Sequence, residues 1–164
     1  ELFGLVKEKG ETGLSDEAYY TKVGATLDPV VNFPFIAGSV MGKAAYQKAS
    51  LSERQEFLAV FKDGMVKSLA KGILNYADSQ IVIAGVDQIN PTRVVVKQEV
   101  SADGTTHKLD YTMVQGKDGQ WKLINVVLNG VNLGQSFSSQ FKSSYRKHNG
   151  DLSKVTANWL ADAS

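Results

Sequence analysis

The chain has 164 residues, 43% of them hydrophobic, only three prolines and a formal net charge of +1. That is enough apolar matter for one domain with its own core, and no Pro/Ser-rich run or block of like charge marks a linker. Lysine and arginine alternate with aspartate and glutamate along the whole length, which removes the electrostatic footprint that duplex nucleic acid or an anionic membrane surface requires. Cysteine is absent and only His107 and His148 are histidines, so disulfide frameworks, thiolate zinc sites and His-rich metal sites are excluded, while an oxidising compartment is permitted.

Residues 1–14 contain three glycines, and Leu2, Phe3, Leu5 and Val6 can form a short docking helix before a Gly-rich loop. This stretch is expected to be a flexible N-terminal segment of a single domain spanning 1–164. No run of 18 apolar residues exists, and Glu1 does not open a charged and then apolar leader, so any signal peptide is expected to have been removed from this sequence. Ser15 is a good N-cap, Asp16 and Glu17 suit the positive end of a helix dipole, and the helix they start should reach about Leu27 before Asp28-Pro29. A second helical pattern puts Phe33, Ile36 and Val40 on one face with Ala37 and Ala44.

Overlapping capping boxes, Ser50 with Glu53 and Ser52 with Gln55, announce the longest helix, which should continue to about Tyr76. At 100° per residue Phe57, Phe61, Gly64, Met65, Ser68, Gly72 and Tyr76 share one face, bulky in the first turns and small in the later ones. A glycine inside a helix is less favourable than alanine by about 1 kcal/mol. Gly64 and Gly72 therefore want a reason, either close packing of another backbone or room for a ligand.

From Gln80 the period becomes two. Runs at 80–89, 93–101, 107–115 and 120–128, separated by Asn90-Pro91, Asp103-Gly104 and Asp118-Gly119, predict a four-stranded antiparallel meander. Val94, Val96 and Val100 alternate with Arg93, Lys97 and Glu99, and Leu109, Tyr111 and Met113 alternate with Lys108, Asp110 and Thr112, giving one apolar and one wet face. The last strand is apolar on both parities, Trp121, Leu123 and Val127 against Ile124, Val126 and Leu128, which marks it as covered on both sides. After Gly130 a closing helix shows Leu133, Phe137 and Phe141 as one stripe. Asn149-Gly150 and the N-cap Asp151 introduce a last helix with Leu152, Val155 and Trp159 inward. The fold class is α+β, with helices packed mainly on one face of the meander.

An enzymatic site would have to be built from Asp110, Tyr111, His107 and Tyr76. Asp110 has the parity of the wet face, and the chain lacks a nucleophile elbow, a zinc-protease helix motif, a phosphate-binding loop and a dinucleotide fingerprint. No catalytic and no metal-ligating residue is assigned. The alternatives are a packed interaction module without a cavity, a cone-shaped α+β domain that binds or transforms a small molecule, and a domain whose helices and sheet enclose an apolar cavity.

Four segments read together are specific. N-F-P-F-I-A-G-S-V-M-G at 32–42, S-E-R-Q-E-F-L-A-V-F at 52–61 and W-K-L-I-N-V-V-L-N-G-V-N-L at 121–133, with S-S-Q-F at 138–141, resemble the MlaC family of periplasmic phospholipid-binding proteins, also called toluene-tolerance or auxiliary organic-solvent-tolerance proteins. The resemblance runs in order from about residue 15 to 160. It implies a periplasmic shuttle with diacyl phospholipid as cargo and no cofactor, exchanging lipid with an outer-membrane lipoprotein-porin complex and an inner-membrane ABC transporter that has an MCE-domain subunit. With it, the apolar pattern nominates Phe33, Ile36, Val40, Phe57, Phe61, Met65, Leu69, Gly72, Ile73 and Tyr76 from the helices as lipid-binding residues. Val96, Leu109, Tyr111, Met113, Leu123 and Val127 are nominated from the strands, and Leu133, Phe137 and Phe141 from the closing helix. Asn125, Asn129 and Ser138 depart from the family pattern, which commonly has an acidic residue in the last strand and an Arg at the position of Ser138.

Overall fold

A computed structural model of the chain describes residues 1–102 and 104–162. Asp103, half of the Asp103-Gly104 turn, and the last two residues of the 1–164 span lie outside the described residues. The elements are α1 (Leu2–Thr12), α2 (Asp16–Leu27), α3 (Phe33–Lys48), α4 (Leu51–Gly72), β1 (Gln80–Asn90), β2 (Arg93–Ala102), β3 (Thr105–Gln115), β4 (Trp121–Leu128), β5 (Val131–Asn132), α5 (Leu133–Lys147) and α6 (Leu152–Asp162). The strands form one antiparallel sheet in sequential order, the four predicted strands plus the two-residue β5, which the tight Asn129-Gly130 turn folds back on β4.

Local chemistry explains most boundaries. α1 runs through Gly4 and Gly10 and stops at Gly13, whose φ of 67° closes it in a left-handed cap; Val6 is buried, with Leu2 and Leu5 against the core. Ser15 accepts from the Ala18 amide, and Asp151 from that of Lys154. At the start of α4 the Ser50–Glu53 box is complete, each side chain bonding the other's amide, so Ser52 falls inside the helix rather than capping it. The α-helix ends at Gly72, and Leu74–Tyr76 form one 3₁₀ turn, four residues short of the expected continuous helix to Tyr76. α3 breaks at Gly42, which adopts φ 75° and ψ 159°, a conformation reserved for glycine. The break resets the helical phase, so beyond it Ala45 is buried and Ala44, expected on the inner face, is exposed.

The core belongs to the helices. Phe57, Phe61, Phe141 and Trp159 pack ring against ring at centroid distances of 5.2 Å (Phe57–Phe141), 5.8 Å (Phe57–Trp159) and 5.7 Å (Phe61–Trp159). Tyr19 of α2 is fully buried and donates its hydroxyl to the Ala70 carbonyl of α4 at 3.0 Å. Apart from Ala49, which ends α3, every residue of the buried cluster lies on a helix, and none comes from a strand. Among the described residues only α3 and α5 pack extensively on the sheet, both on β4. A parallel bridge between Val31 and Leu123 holds the entry to α3 against β4.

The total accessible surface reports the same separation. It is 9805 Å² for a chain of 17.8 kDa, against about 8,000 Å² for a compact monomer of that mass. The two layers are joined along β4 and meet again where Tyr76 reaches His107 of β3, while β1 stays open.

Candidate functional site

Strand register decides which side chains share the apolar face. Val96 lies opposite Tyr111 and Val86, Val100 opposite His107 and Ile81, and Val94 opposite Met113. Directly paired residues point to the same side of an antiparallel sheet. Leu109, Tyr111 and Met113 are therefore on one face with Val94, Val96 and Val100, as their alternation predicts. Lys97, Asp110 and Thr112 occupy the other, where Lys97 also bonds Asp87 at 2.7 Å.

β4 departs from simple alternation. Thr112 pairs with Asn125 but Met113 pairs with Leu123, so Ile124 is the extra residue of a bulge. The bulge switches parity: Leu123 shares the apolar face at Met113, while further along it is Val126 and Leu128 that oppose Tyr111 and Leu109. Val127 opposes Asp110 and belongs to the polar face. The expectation that Leu123 and Val127 share one face is corrected by the bulge, and Val126 and Leu128 stand on the apolar face instead.

The remaining nominated residues fall into two sets. Phe33, Val40, Phe57, Phe61 and Phe141 are buried inside the helical core. Ile36, Met65, Ile73, Tyr76, Leu133 and Phe137 are half-buried at its margin, and Leu69 and Gly72 are exposed. Phe137 is the link between the sets, with its ring edge-on to Phe61 and Trp159. A Cβ built on Gly72 meets nothing within 4 Å, so no neighbouring backbone explains that glycine. On the sheet, Val96, Leu109, Tyr111, Met113 and Leu123 are all half-buried, and β1 is open: Ile81, Ile83, Val86 and Ile89 are 44–58% exposed. Ile81, Ile83 and Val86 of β1, which the sequence pattern does not single out, extend the same face.

The arrangement is thus an apolar sheet surface, joined through β4 to a helical layer that has already completed its own core. Burial holds the Tyr111 hydroxyl above the usual phenol range, opposed in part by its hydrogen bond with Gln98. At the end nearest α4, Tyr76 reaches His107, Oη to Nε2 at 3.3 Å, and Asn129 reaches the other ring nitrogen at 3.1 Å. His107 and Asp110 are on opposite faces, so Asp110 stands apart from the Tyr76–His107 pair. No three His, Asp or Glu side chains gather into a metal site among the described residues. Two depressions lie at opposite ends of the sheet, one of about 260 Å³ between residues 74–79 and Ala102, the other of about 380 Å³ at the β3–β4 hairpin beside Asn32.

Two of the three departures have structural employment. Asn125 accepts from the Gly134 amide at 3.2 Å and so fastens the first turn of α5 to β4. Asn129 adopts φ 48° and accepts from the Lys108 amide at 2.9 Å. An acidic side chain at 125 could fill the first role, but the second uses both ends of the Asn amide.

A family model described as MlaC protein matches residues 1–161. Toluene tolerance protein Ttg2D from Pseudomonas putida is 28% identical over 166 residues, an alignment spanning all of this chain and 77% of that protein. A solved structure of a phospholipid-binding protein from Ralstonia solanacearum, in complex with a phospholipid, superimposes with a TM-score of 0.82 over 99% of this chain and 90% of that one, at 19% identity.

Proposed function

The chain belongs to the MlaC family, and from that premise we propose that it is a periplasmic phospholipid carrier that encloses acyl chains between the sheet and the helical layer and catalyses no reaction. The observation that carries this reading is the apolar sheet face left outside an otherwise complete core. An exposed apolar surface of this extent on one face marks a place where something apolar belongs. The solved relative in complex with a phospholipid supports a lipid as that occupant.

The energetics fit a carrier. A methylene kept from water is worth about 0.8 kcal/mol, so two acyl chains with some thirty methylenes would cost on the order of 24 kcal/mol to expose. Lipid cannot cross water unaccompanied on a useful timescale, and the tails must be covered. Passage from a bilayer into an apolar cleft exchanges one apolar medium for another, so its free energy can lie near zero, and direction must come from partners with different affinities. An outer-membrane lipoprotein-porin complex at one end and an inner-membrane ABC transporter with an MCE-domain subunit at the other would supply that difference. The carrier itself needs no acid, base or metal.

The test is to express the chain in a bacterium, purify it without detergent, denature it and identify the organic extract by mass spectrometry. Near-stoichiometric diacyl phospholipid is the expected result. A clean extract from folded protein, repeated after incubation with liposomes, would leave a cavity-free interaction module as the better reading.

A further inference from the structure

The contact between Tyr76 and His107 has a direction that can be deduced. A backbone N–H can only donate, so the Asn129 atom that receives the Lys108 amide is the carbonyl oxygen Oδ1. The Asn129 NH₂ is then the group facing His107 Nδ1 at 3.1 Å. An amide NH₂ can only donate as well, so Nδ1 accepts and the imidazole carries its hydrogen on Nε2. Nε2–H donates to the Tyr76 oxygen at 3.3 Å. The phenol hydrogen is left over, and no second partner of the Tyr76 hydroxyl occurs among the described residues.

A second unused group lies three residues on. The Ser79 hydroxyl is shielded from solvent without a hydrogen-bond partner, while its amide is tied to the Tyr76 carbonyl at 3.1 Å. It borders the depression between residues 74–79 and Ala102. Shielded hydroxyls normally have partners, and leaving one without is unfavourable. The Tyr76 hydroxyl, with its spare hydrogen, therefore sits where α4 hands over to β1, beside His107 and the end of the apolar face at Val100. The other end of that face, at Val94, Met113 and Leu123, is aliphatic.

We infer that Tyr76, oriented by the Asn129–His107 relay, donates a hydrogen bond to an acceptor oxygen at the polar end of the bound phospholipid, so that the lipid lies with its polar end at the α4–β1 junction and its acyl chains along the sheet toward the hairpin tips. This rests on the carrier reading above. The oxygen belongs either to a glycerol ester carbonyl or to the phosphate; both only accept, which suits a group with only a hydrogen to offer. His107 and Asn129 are positioning residues.

The experiment compares wild type with Tyr76→Phe, His107→Leu and Lys122→Ala, the last at the opposite end of the sheet. Affinity is measured for a diester phosphatidylcholine and for the dialkyl ether lipid with the same headgroup and chain length. Tyr76→Phe should weaken diester binding by roughly three- to tenfold, the range of one neutral hydrogen bond, and His107→Leu should weaken it in the same lipid-dependent way but less. Loss with the diester alone assigns the carbonyl; equal loss with both lipids assigns the phosphate. Unchanged affinity in Tyr76→Phe, or loss found only in Lys122→Ala, overturns the inference while wild-type binding still upholds the carrier. Wild type that takes up neither lipid removes the carrier reading and this inference with it. Nitrogen-15 shifts of the His107 ring in the lipid-free protein test the relay separately: hydrogen on Nε2 is expected, and hydrogen on Nδ1 would overturn it.

Discussion

The helical layer buries Phe57, Phe61, Phe141 and Trp159 to 1% exposure or less, whereas β1 leaves Ile83, Val86 and Ile89 more than half exposed. Both regions are rich in large apolar side chains, but the helices use theirs to close on one another and the sheet does not. Apolar burial is the main source of folding free energy, at roughly 25 cal/mol per Å². The helices therefore hold the stability of the domain, and the sheet holds an unsatisfied apolar face. A region excluded from the core can change its contacts without unfolding the rest, which is what loading and release of an apolar cargo require.

The contrast is broken most directly by truncation. Phe57→Ala should destabilise the protein by about 3–5 kcal/mol in urea unfolding, because the aromatic cluster cannot collapse into the space. Val86→Ala, on β1, should shift the same curve by about 0.5 kcal/mol or less. Comparable losses at both positions would mean that the sheet face is part of the core after all.

The next effect separates the two faces of β4. Val126→Glu puts a carboxylate on the apolar face and should abolish phospholipid retention through purification, while Val127→Glu, beside Asp110 on the polar face, should keep most of it. Equal retention in native mass spectra would remove the bulge at Ile124 as the determinant of the site. Gly72→Trp sharpens the helical border: its Cβ has free space, so the variant should fold with a near-unchanged melting temperature and carry less lipid. Full lipid content would move the border away from the last turn of α4.

The smallest effects concern the helical layer alone. Ser50→Ala removes the α4 cap and should lower stability by about 1 kcal/mol. The Ser50 amide holds the Glu53 carboxyl below the usual carboxylate range. A lowered native value means that this contribution is complete above the unfolded-state value and is lost as pH falls through the native one. Glu53→Gln should accordingly flatten the acid side of the curve of melting temperature against pH and leave lipid content unchanged.

Much of this was legible because it is local. The Ser50–Glu53 box, the Asp151 cap, the switch of period at Gln80 and the inward Leu152, Val155 and Trp159 depend on neighbours a few residues away, so periodicity and capping decide them. The motifs at 32–42, 52–61 and 121–133 likewise identified the family, since a motif is a property of the chain. What required the folded molecule depends on residues far apart. Nothing local shows that Phe57 and Phe61 would be sealed by Phe141 and Trp159 while Met65 and Leu69 on the same helix stay near the surface. Alternation alone could not place the bulge at Ile124, which exists only in register with β3 and moves Val127 to the wet face. The Gly42 break moved burial from Ala44 to Ala45 by resetting a phase that a regular 3.6-residue count carries straight through. Tyr76, His107 and Asn129 come together across separations of 31 and 22 residues. Their hydrogen-bond direction follows from a backbone amide whose position only strand pairing sets.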